Sequence, residues 1–595
     1  MNPINNRIAD LRLSMKEQHL DAFIVPSSDP HQGEYVAAHW QFRQWISGFT
    51  GSAGLFFLTQ DDAGLSTDSR YFIQAETELA NSEVVLHKQK VAHSPQIIPW
   101  LKEKLTEGSR VGIDPQLFSI NDIKSFEKDL SVSGIVLHFT TDLTDKVWKN
   151  RPDLPNDKIF ELPLKYAGVS RPEKIAAIRK EMSRVGVDYH LVTTLDDIAW
   201  IFNIRGNDVE YNPVAIAYAI ISKNDCTLFI NEQKIPQALL KAFEAEQIKV
   251  LPYEKVSTFL ESLSDQESIL LDPSKTNGHL DKAIKNAEVV HGGTISTTIK
   301  AIKNPTEVNN IKKAMLKDGV ALTKLFRWLE ETIEVRPVPE TEVASQLAQF
   351  RGEQGEYHGE SFSAIVGYKG NGAIIHYHAN KETCAKILPE GILLLDSGGQ
   401  YLCGTTDITR TVALSKPDAI QKRDYTLVLK GHIALARLKF PYGTRGNQME
   451  LLARKALWEY GLDYSHGTGH GVGFFLNVHE GPQALGSGAT AKATVVFEPG
   501  MFTSNEPGFY KEGEYGIRIE NLILCVEGQT TPFGQFLTFE TLTLFPIDTN
   551  LIDFYLLAKE EVQWLNDYHA EVFGKLAPLL DEQERAWMKE RCKAI

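Results

Sequence analysis

Read as a string of apolar and polar positions, the chain switches repeatedly between a helical and a strand-like period. Ile8, Leu11 and Met15 stand three and four residues apart, the spacing of one helix face, and Asp21-Ala-Phe-Ile-Val25 then runs apolar as a short strand. The same order returns as Ile175, Ile178 and Met182, followed by Asp188-Tyr-His-Leu-Val192. Further on, Trp45-Ile46 and Gly51 are answered at a shorter offset by Trp200-Ile201 and Gly206, so the first copy carries the longer loop. A repeat of so long a period is a duplication, not a solenoid, and predicts two successive α/β domains of similar plan.

Arg151-Pro-Asp-Leu-Pro-Asn156, with Pro163 and Pro172 beyond it, resists regular structure and reads as a linker, with a boundary near 160. A second boundary falls near 302, where Asn304 is an N-cap, Pro305 a first helical residue and Glu307 an acidic residue of the first turn. The long helix predicted there has Val308, Ile311, Met315, Leu322, Leu325 and Leu329 on its apolar face. The chain thus divides into residues 1–160, 161–302 and 303–595, and Leu557, Trp564, Leu565, Tyr568 and Val572 predict a further helix near its end.

In the third region the period becomes two. Gly-Ile-Leu-Leu-Leu before Asp396 is a buried strand and Asp407-Ile-Thr-Arg-Thr-Val-Ala-Leu414 another, with Gly398, Gly399 and Gly404 as turn residues, so a hairpin places both aspartates side by side. Tyr515 to Leu524 alternates, which sets Arg518 and Glu520 on one strand face.

Charge and cysteine usage narrow the class. With 62 Lys+Arg against 77 Asp+Glu, the net charge of −15 argues against nucleic acid or an anionic membrane as partner. No uncharged apolar run approaches the ~18 residues of a membrane span, and Met-Asn-Pro-Ile-Asn-Asn-Arg7 has no apolar signal core, so the protein is expected to stay where it is made. Five scattered cysteines without C-x-x-C spacing point away from a disulfide framework and toward reducing cytoplasm.

The candidate chemistry lies in the third region. His466-Gly-Thr-Gly-His470-Gly-Val-Gly473 stands between two acidic pairs, Asp396/Asp407 and Glu506/Glu520. Alone, each residue is an ordinary turn or packing residue; together they are the oxygen-rich donor set of hard divalent cations, and they predict a dinuclear metallohydrolase. The glycines around His466 and His470 exclude a helical H-E-x-x-H zinc site. The Asp396 to Asp407 separation equals that of the end ligands of an EF-hand, but Gly398, Gln400 and Tyr401 are wrong for one.

With Gly372-Ala-Ile-Ile-His376-Tyr377 upstream and Trp564-Leu-Asn-Asp-Tyr-His569 downstream, these motifs resemble, in order and spacing, the Xaa-Pro aminopeptidase (aminopeptidase P) family of M24 peptidases, in its long three-domain cytosolic form. The resemblance implies two creatinase-like α/β domains followed by a pita-bread catalytic domain. It implies two divalent ions, most readily Mn²⁺ with Co²⁺ or Zn²⁺ as alternatives, held by Asp396, Asp407, His470, Glu506 and Glu520, with Asp407 and Glu520 bridging. Peptides with proline second would be cut at the Xaa-Pro bond by a hydroxide shared between the ions. His376, His466 and His479 would line the substrate site together with Arg518, and Arg70, in Asp68-Ser-Arg70-Tyr71, would reach a bound peptide. His376 and His479 would donate to the tetrahedral centre and Glu506 would shuttle the proton. A homodimer is implied as well. Cys403 departs from the family, which often has an acidic residue there. The rivals are a prolidase acting on Xaa-Pro dipeptides, a methionine aminopeptidase, which is usually little more than the catalytic domain, and a metal-free pita-bread binding protein, whose ligand set is typically broken.

Overall fold

Ile8, Leu11 and Met15 are all buried, on the inner stripe of the helix Pro3–Glu17, and their counterparts Ile175, Ile178 and Met182 do the same in Arg171–Val185. The structure, a computed structural model, describes residues 2–89, 97–141, 143–382, 384–488 and 490–595. It resolves into two compact units, residues 1–162 with 169–296, and residues 163–168 with 297–595.

The first unit contains two six-stranded sheets. One runs Val84–Lys88, Ala63–Thr67, Leu55–Thr59, Ala22–Pro26, Arg110–Ile113, Val136–Phe139; the other runs Ile248–Leu251, Cys226–Ile230, Ala217–Ser222, Tyr189–Val192, Ser268–Leu271, Glu288–His291. Strand for strand the two have the same order and the same mix of antiparallel and parallel neighbours. The duplication read from a few apolar positions therefore extends to the complete sheet topology. The copies meet through equivalent residues: Ser119 and Asn277 each cap the helix after the fifth strand of their sheet, and they form a β-bridge with one another.

The long helix of the second unit is Pro305–Ile333, whose Asn304 caps the Thr306 and Glu307 amides while Glu307 accepts from the Asn304 amide. Five of its six predicted core residues, Ile311, Met315, Leu322, Leu325 and Leu329, are buried, and Val308 is half-buried. Against this helix and the helices Glu340–Gly352 and Ala419–Ala436 lie a three-stranded sheet (Ile365–Tyr368, Ile392–Ser397, Ile408–Ala413) and a six-stranded one. The larger sheet runs Lys439–Pro441, Gly534–Thr541, Asn521–Thr531, Phe502–Asn505, Gly469–Gly471, Glu480–Leu485. The helix Lys559–Leu576 buries Leu565, Tyr568 and Val572, whereas Leu557 precedes it.

Two local expectations need correction. Ile392–Ser397 and Ile408–Ala413 do pair antiparallel, with Asp396 opposite Thr409, but the intervening residues are no simple turn. Gly399–Tyr401 and Gly404–Thr405 form a small hairpin of their own against Tyr357–Glu360. The continuous strand expected from Tyr515 to Leu524 is broken after Arg518, where Ile519 and Glu520 cross between sheets. The Glu520 amide donates to Thr409 O (3.1 Å), and the Glu520 carbonyl accepts from buried Arg410 Nη1 (2.6 Å). Arg410 also donates to the carbonyls of Thr409, Phe545 and Pro546, to Asn521 Oδ1 and, at 3.0 Å, to the Tyr568 hydroxyl. That arginine supplies enough donors to replace the ladder bonds lost at the break.

Among the described residues no helix is long and apolar enough to cross a membrane, and all five cysteines are free.

Candidate metal centre

The ligand-type residues sit at the ends of strands in the second unit. Asp396 lies near the end of Ile392–Ser397 and Asp407 immediately before Ile408–Ala413; His470 is the middle residue of Gly469–Gly471; Glu506 follows Phe502–Asn505; and Glu520 occupies the strand break. Ligand atoms of Asp407, His470 and Glu520 all lie within 4.8 Å of one another. His470 Nε2 stands 3.5 Å from Asp407 Oδ2 and 3.4 Å from Glu506 Oε1. Ser504 Oγ ties two of them together, accepting from the His470 amide (2.9 Å) and donating to Glu506 Oε1 (3.2 Å).

The glycine beside His470 has a steric cause. A Cβ on Gly469 would lie 2.0 Å from the Ser504 carbonyl oxygen, so only glycine lets this strand approach Phe502–Asn505 closely enough to place His470. Gly469→Ala is expected to destabilise the protein by about 1–3 kcal/mol, as for other overpacked sites, and to reduce bound metal; denaturant midpoints and metal analysis on the purified variant check both.

Arg518 anchors the Asp396 side. Its Nη2 donates to Asp396 Oδ2 at 2.5 Å, its Nε to Thr409 Oγ1 at 3.1 Å and its Nη1 to the Tyr510 hydroxyl at 2.6 Å. Thr409 Oγ1 in turn donates to Glu520 Oε2 (2.8 Å). Because Tyr510 accepts from Arg518, its own proton is free for His466 Nε2 at 2.8 Å; His466 Nδ1 then carries the hydrogen, which it donates to the Gly467 carbonyl at 2.7 Å. Thr409 and Tyr510 escape the sequence reading. Thr409 stands two residues after Asp407, the strand period that puts two side chains on one face, and this was the available signal. Tyr510 is 44 residues from His466 and carries no such signal.

The histidines distribute unevenly. The His479 ring stands edge-on to His470 with centroids 4.3 Å apart. His376 is half-buried in the turn after Lys369–Ala373, next to the strand that pairs with the one bearing Asp396. Arg70 belongs to the first unit, and its Nε and Nη2 are both held by the Asp68 carboxylate at 2.8 Å. Burial pushes the Cys403 thiol up to about 11, against the pull of Lys317, so a reactive thiolate is disfavoured near neutral pH.

Electrostatically the cluster is crowded with like charge. Burial first, then Glu520, Asp396 and Glu506, hold the Asp407 carboxyl well above its ordinary value; burial first, then Asp396 and Glu506, do the same to Glu520. Burial raises Glu506 to about 7, with Arg518 opposing and Asp396 adding. Four carboxylates face one guanidinium, and Asp396 Oδ1 is buried with no hydrogen-bond partner. Groups so placed are matched to divalent cations, whose charge offsets the repulsion and whose coordination uses the vacant lone pairs.

Comparison with known proteins agrees with this geometry. Residues 309–527 match the model of metallopeptidase family M24 and 535–595 its C-terminal region, while 7–146 and 150–307 match two models of the creatinase/prolidase N-terminal domain. A protein of Laccaria bicolor named probable Xaa-Pro aminopeptidase P is 40% identical over 99% of this chain and 93% of its own length. One of Aspergillus fumigatus with the same name is 41% identical over 99% and 92%. The crystal structure of an X-prolyl aminopeptidase from Caenorhabditis elegans, described as a cytosolic enzyme with a di-nuclear active site, superposes with a TM-score of 0.95 at 33% identity, covering 100% of both chains.

Proposed function

The chain belongs to metallopeptidase family M24, and from this premise we propose that it works as a metal-dependent Xaa-Pro aminopeptidase, releasing the first residue of peptides that carry proline second. The observation that carries the reading is the convergence of Asp407, His470 and Glu520, with Glu506 against His470 and Asp396 held by Arg518. Asp396, Asp407, His470, Glu506 and Glu520 would hold two divalent ions, with manganese the best match to the donors. When bound, such ions supply Lewis acidity, which acidifies a water and polarises a carbonyl.

The chain's own residues do the rest. Arg518 holds the Asp396 carboxylate in the cluster through a charge-assisted bond. Glu506, against His470 Nε2 and accepting from Ser504, is placed to take a proton from the attacking water on a carboxylate oxygen and deliver it to the departing prolyl nitrogen. His376 and His479 donate to the oxygen on which negative charge develops, His479 from its place against His470. His466, with Nδ1 bonded to the Gly467 carbonyl and Nε2 engaged by Tyr510, forms a wall of the substrate site. A tertiary Xaa-Pro amide has no N–H and biases the preceding residue toward extended backbone, so a site that offers no partner for that hydrogen selects it.

The reading extends to a division at about 160 and 302 into two N-terminal α/β domains and a catalytic domain, to Arg70 contacting longer peptides, to a homodimer and to a cytoplasmic location, the last in line with the cytosolic description of the nematode enzyme. Substrate length is the deciding experiment. Purified protein with Mn²⁺ is expected to release the first residue from an Xaa-Pro-Pro tripeptide and to leave Xaa-Ala-Pro intact. Cleavage confined to Xaa-Pro dipeptides would replace this reading with a prolidase.

A further inference from the structure

Glu340 is the first residue of the helix Glu340–Gly352, is wholly buried, and among the described residues has no cationic partner in its hydrogen bonding, yet both its carboxylate oxygens are engaged. Oε1 accepts from the Tyr368 amide (2.9 Å) and Asn371 Nδ2 (3.0 Å); Oε2 accepts from the Ala385 amide and the Tyr377 hydroxyl, each at 2.8 Å. The Asn371 amide also donates to the Tyr377 hydroxyl (3.0 Å), closing a ring of bonds, and the Glu340 amide returns a bond to the Ala385 carbonyl (3.1 Å). The residues gripped are the end of the strand Ile365–Tyr368, the 3₁₀ segment after it, and the residue directly following His376. Burial and the bond to Glu340 both push the Tyr377 phenol up, so it stays protonated and remains a donor.

A buried carboxylate without a cation is expensive to desolvate, and four donors converging on it are what make it tolerable. Four donors brought onto one carboxylate from this segment point to a turn whose position matters. We infer that Glu340 is a positioning residue for His376: it fixes the turn that aims the imidazole, through Asn371 and Tyr377, without touching substrate or metal itself. The inference rests on the proposed role of His376 in hydrolysis, and deepens it.

A double-mutant cycle on the metal-loaded enzyme tests it. Glu340→Gln is isosteric but forces an amide N–H against one of the four donors, and is expected to lower kcat on the order of 10- to 100-fold, as loss of orienting partners commonly does. Bound metal and KM should stay near those of the parent. His376→Ala is expected to lower kcat at least as far, and the double variant to be no slower than His376→Ala alone, because a histidine that is absent has no orientation to lose. Multiplicative effects of the two substitutions would overturn the inference while leaving His376 catalytic. Unchanged kcat in His376→Ala would remove the role of His376, and the inference with it. Should Glu340→Gln fail to fold, Tyr377→Phe removes the two bonds that the hydroxyl makes in the ring, leaves the other donors to Glu340 in place, and enters the same cycle with the same expected non-additivity.

Discussion

Asp407→Asn is expected to abolish peptide hydrolysis while making the metal-free protein more stable at about pH 8. The activity loss follows from the position of Asp407, within 4.8 Å of both His470 and Glu520 at the centre of the donor set. Metal-derived charge stabilisation is worth several kcal/mol, so kcat/KM should fall on the order of a thousandfold or more. The stability gain follows from the crowding. Burial and the charges of Glu520, Asp396 and Glu506 oppose ionisation of Asp407, and the neutral amide of asparagine removes that penalty while keeping the shape. Melting temperatures with and without Mn²⁺ check both limbs: the variant should melt above the parent when both are metal-free, and below it when both are supplied with metal. A variant less stable than the parent under both conditions would show that Asp407 is held by the fold, not by the ions.

Removal of metal by dialysis against chelator is expected to abolish release of the first residue, with Mn²⁺ restoring it, and to lower the melting temperature by an amount that grows with pH. The sign follows from Glu506. Its folded-state value of about 7 lies above the ordinary 4.5, so the metal-free folded chain binds more protons than the unfolded chain in that window and loses stability as pH rises through it. The displacement corresponds to roughly 3 kcal/mol by the top of the window. Asp407 and Glu520 are raised as well and carry the trend further. Bound cations reverse the local field and remove the penalty, so the gap between loaded and metal-free melting temperatures should widen from about pH 5 through pH 7. A gap that narrows with pH, or hydrolysis that survives chelation, would contradict the proposed centre.

Much of this was legible before any coordinates. The helix of Ile8, Leu11 and Met15 and its repeat, the Asn304 cap and the strand before Asp396 follow from short-range periodicity, and the structure has each of them. The five ligand-type residues were legible as a set because each adjoins a glycine or a strand end in a recognisable motif. The supporting residues were not. Glu340 contacts partners 28 to 45 residues away, and Arg410 bonds the Tyr568 hydroxyl across 158 residues. Neither pairing leaves a period in the sequence. The break at Ile519 and Glu520 was missed for a related reason: alternation reports which residues could share a strand, and it was Arg410, far away in sequence, that turned the Glu520 carbonyl aside.

The bond from Arg410 to Tyr568 also orders events during synthesis. The backbone that presents Glu520 is clamped by a guanidinium whose last partner lies on the helix Lys559–Leu576, near the end of the chain. Every ligand-type residue is therefore translated before the helix that completes the clamp. The catalytic unit reaches its finished form only once that helix folds back onto Arg410.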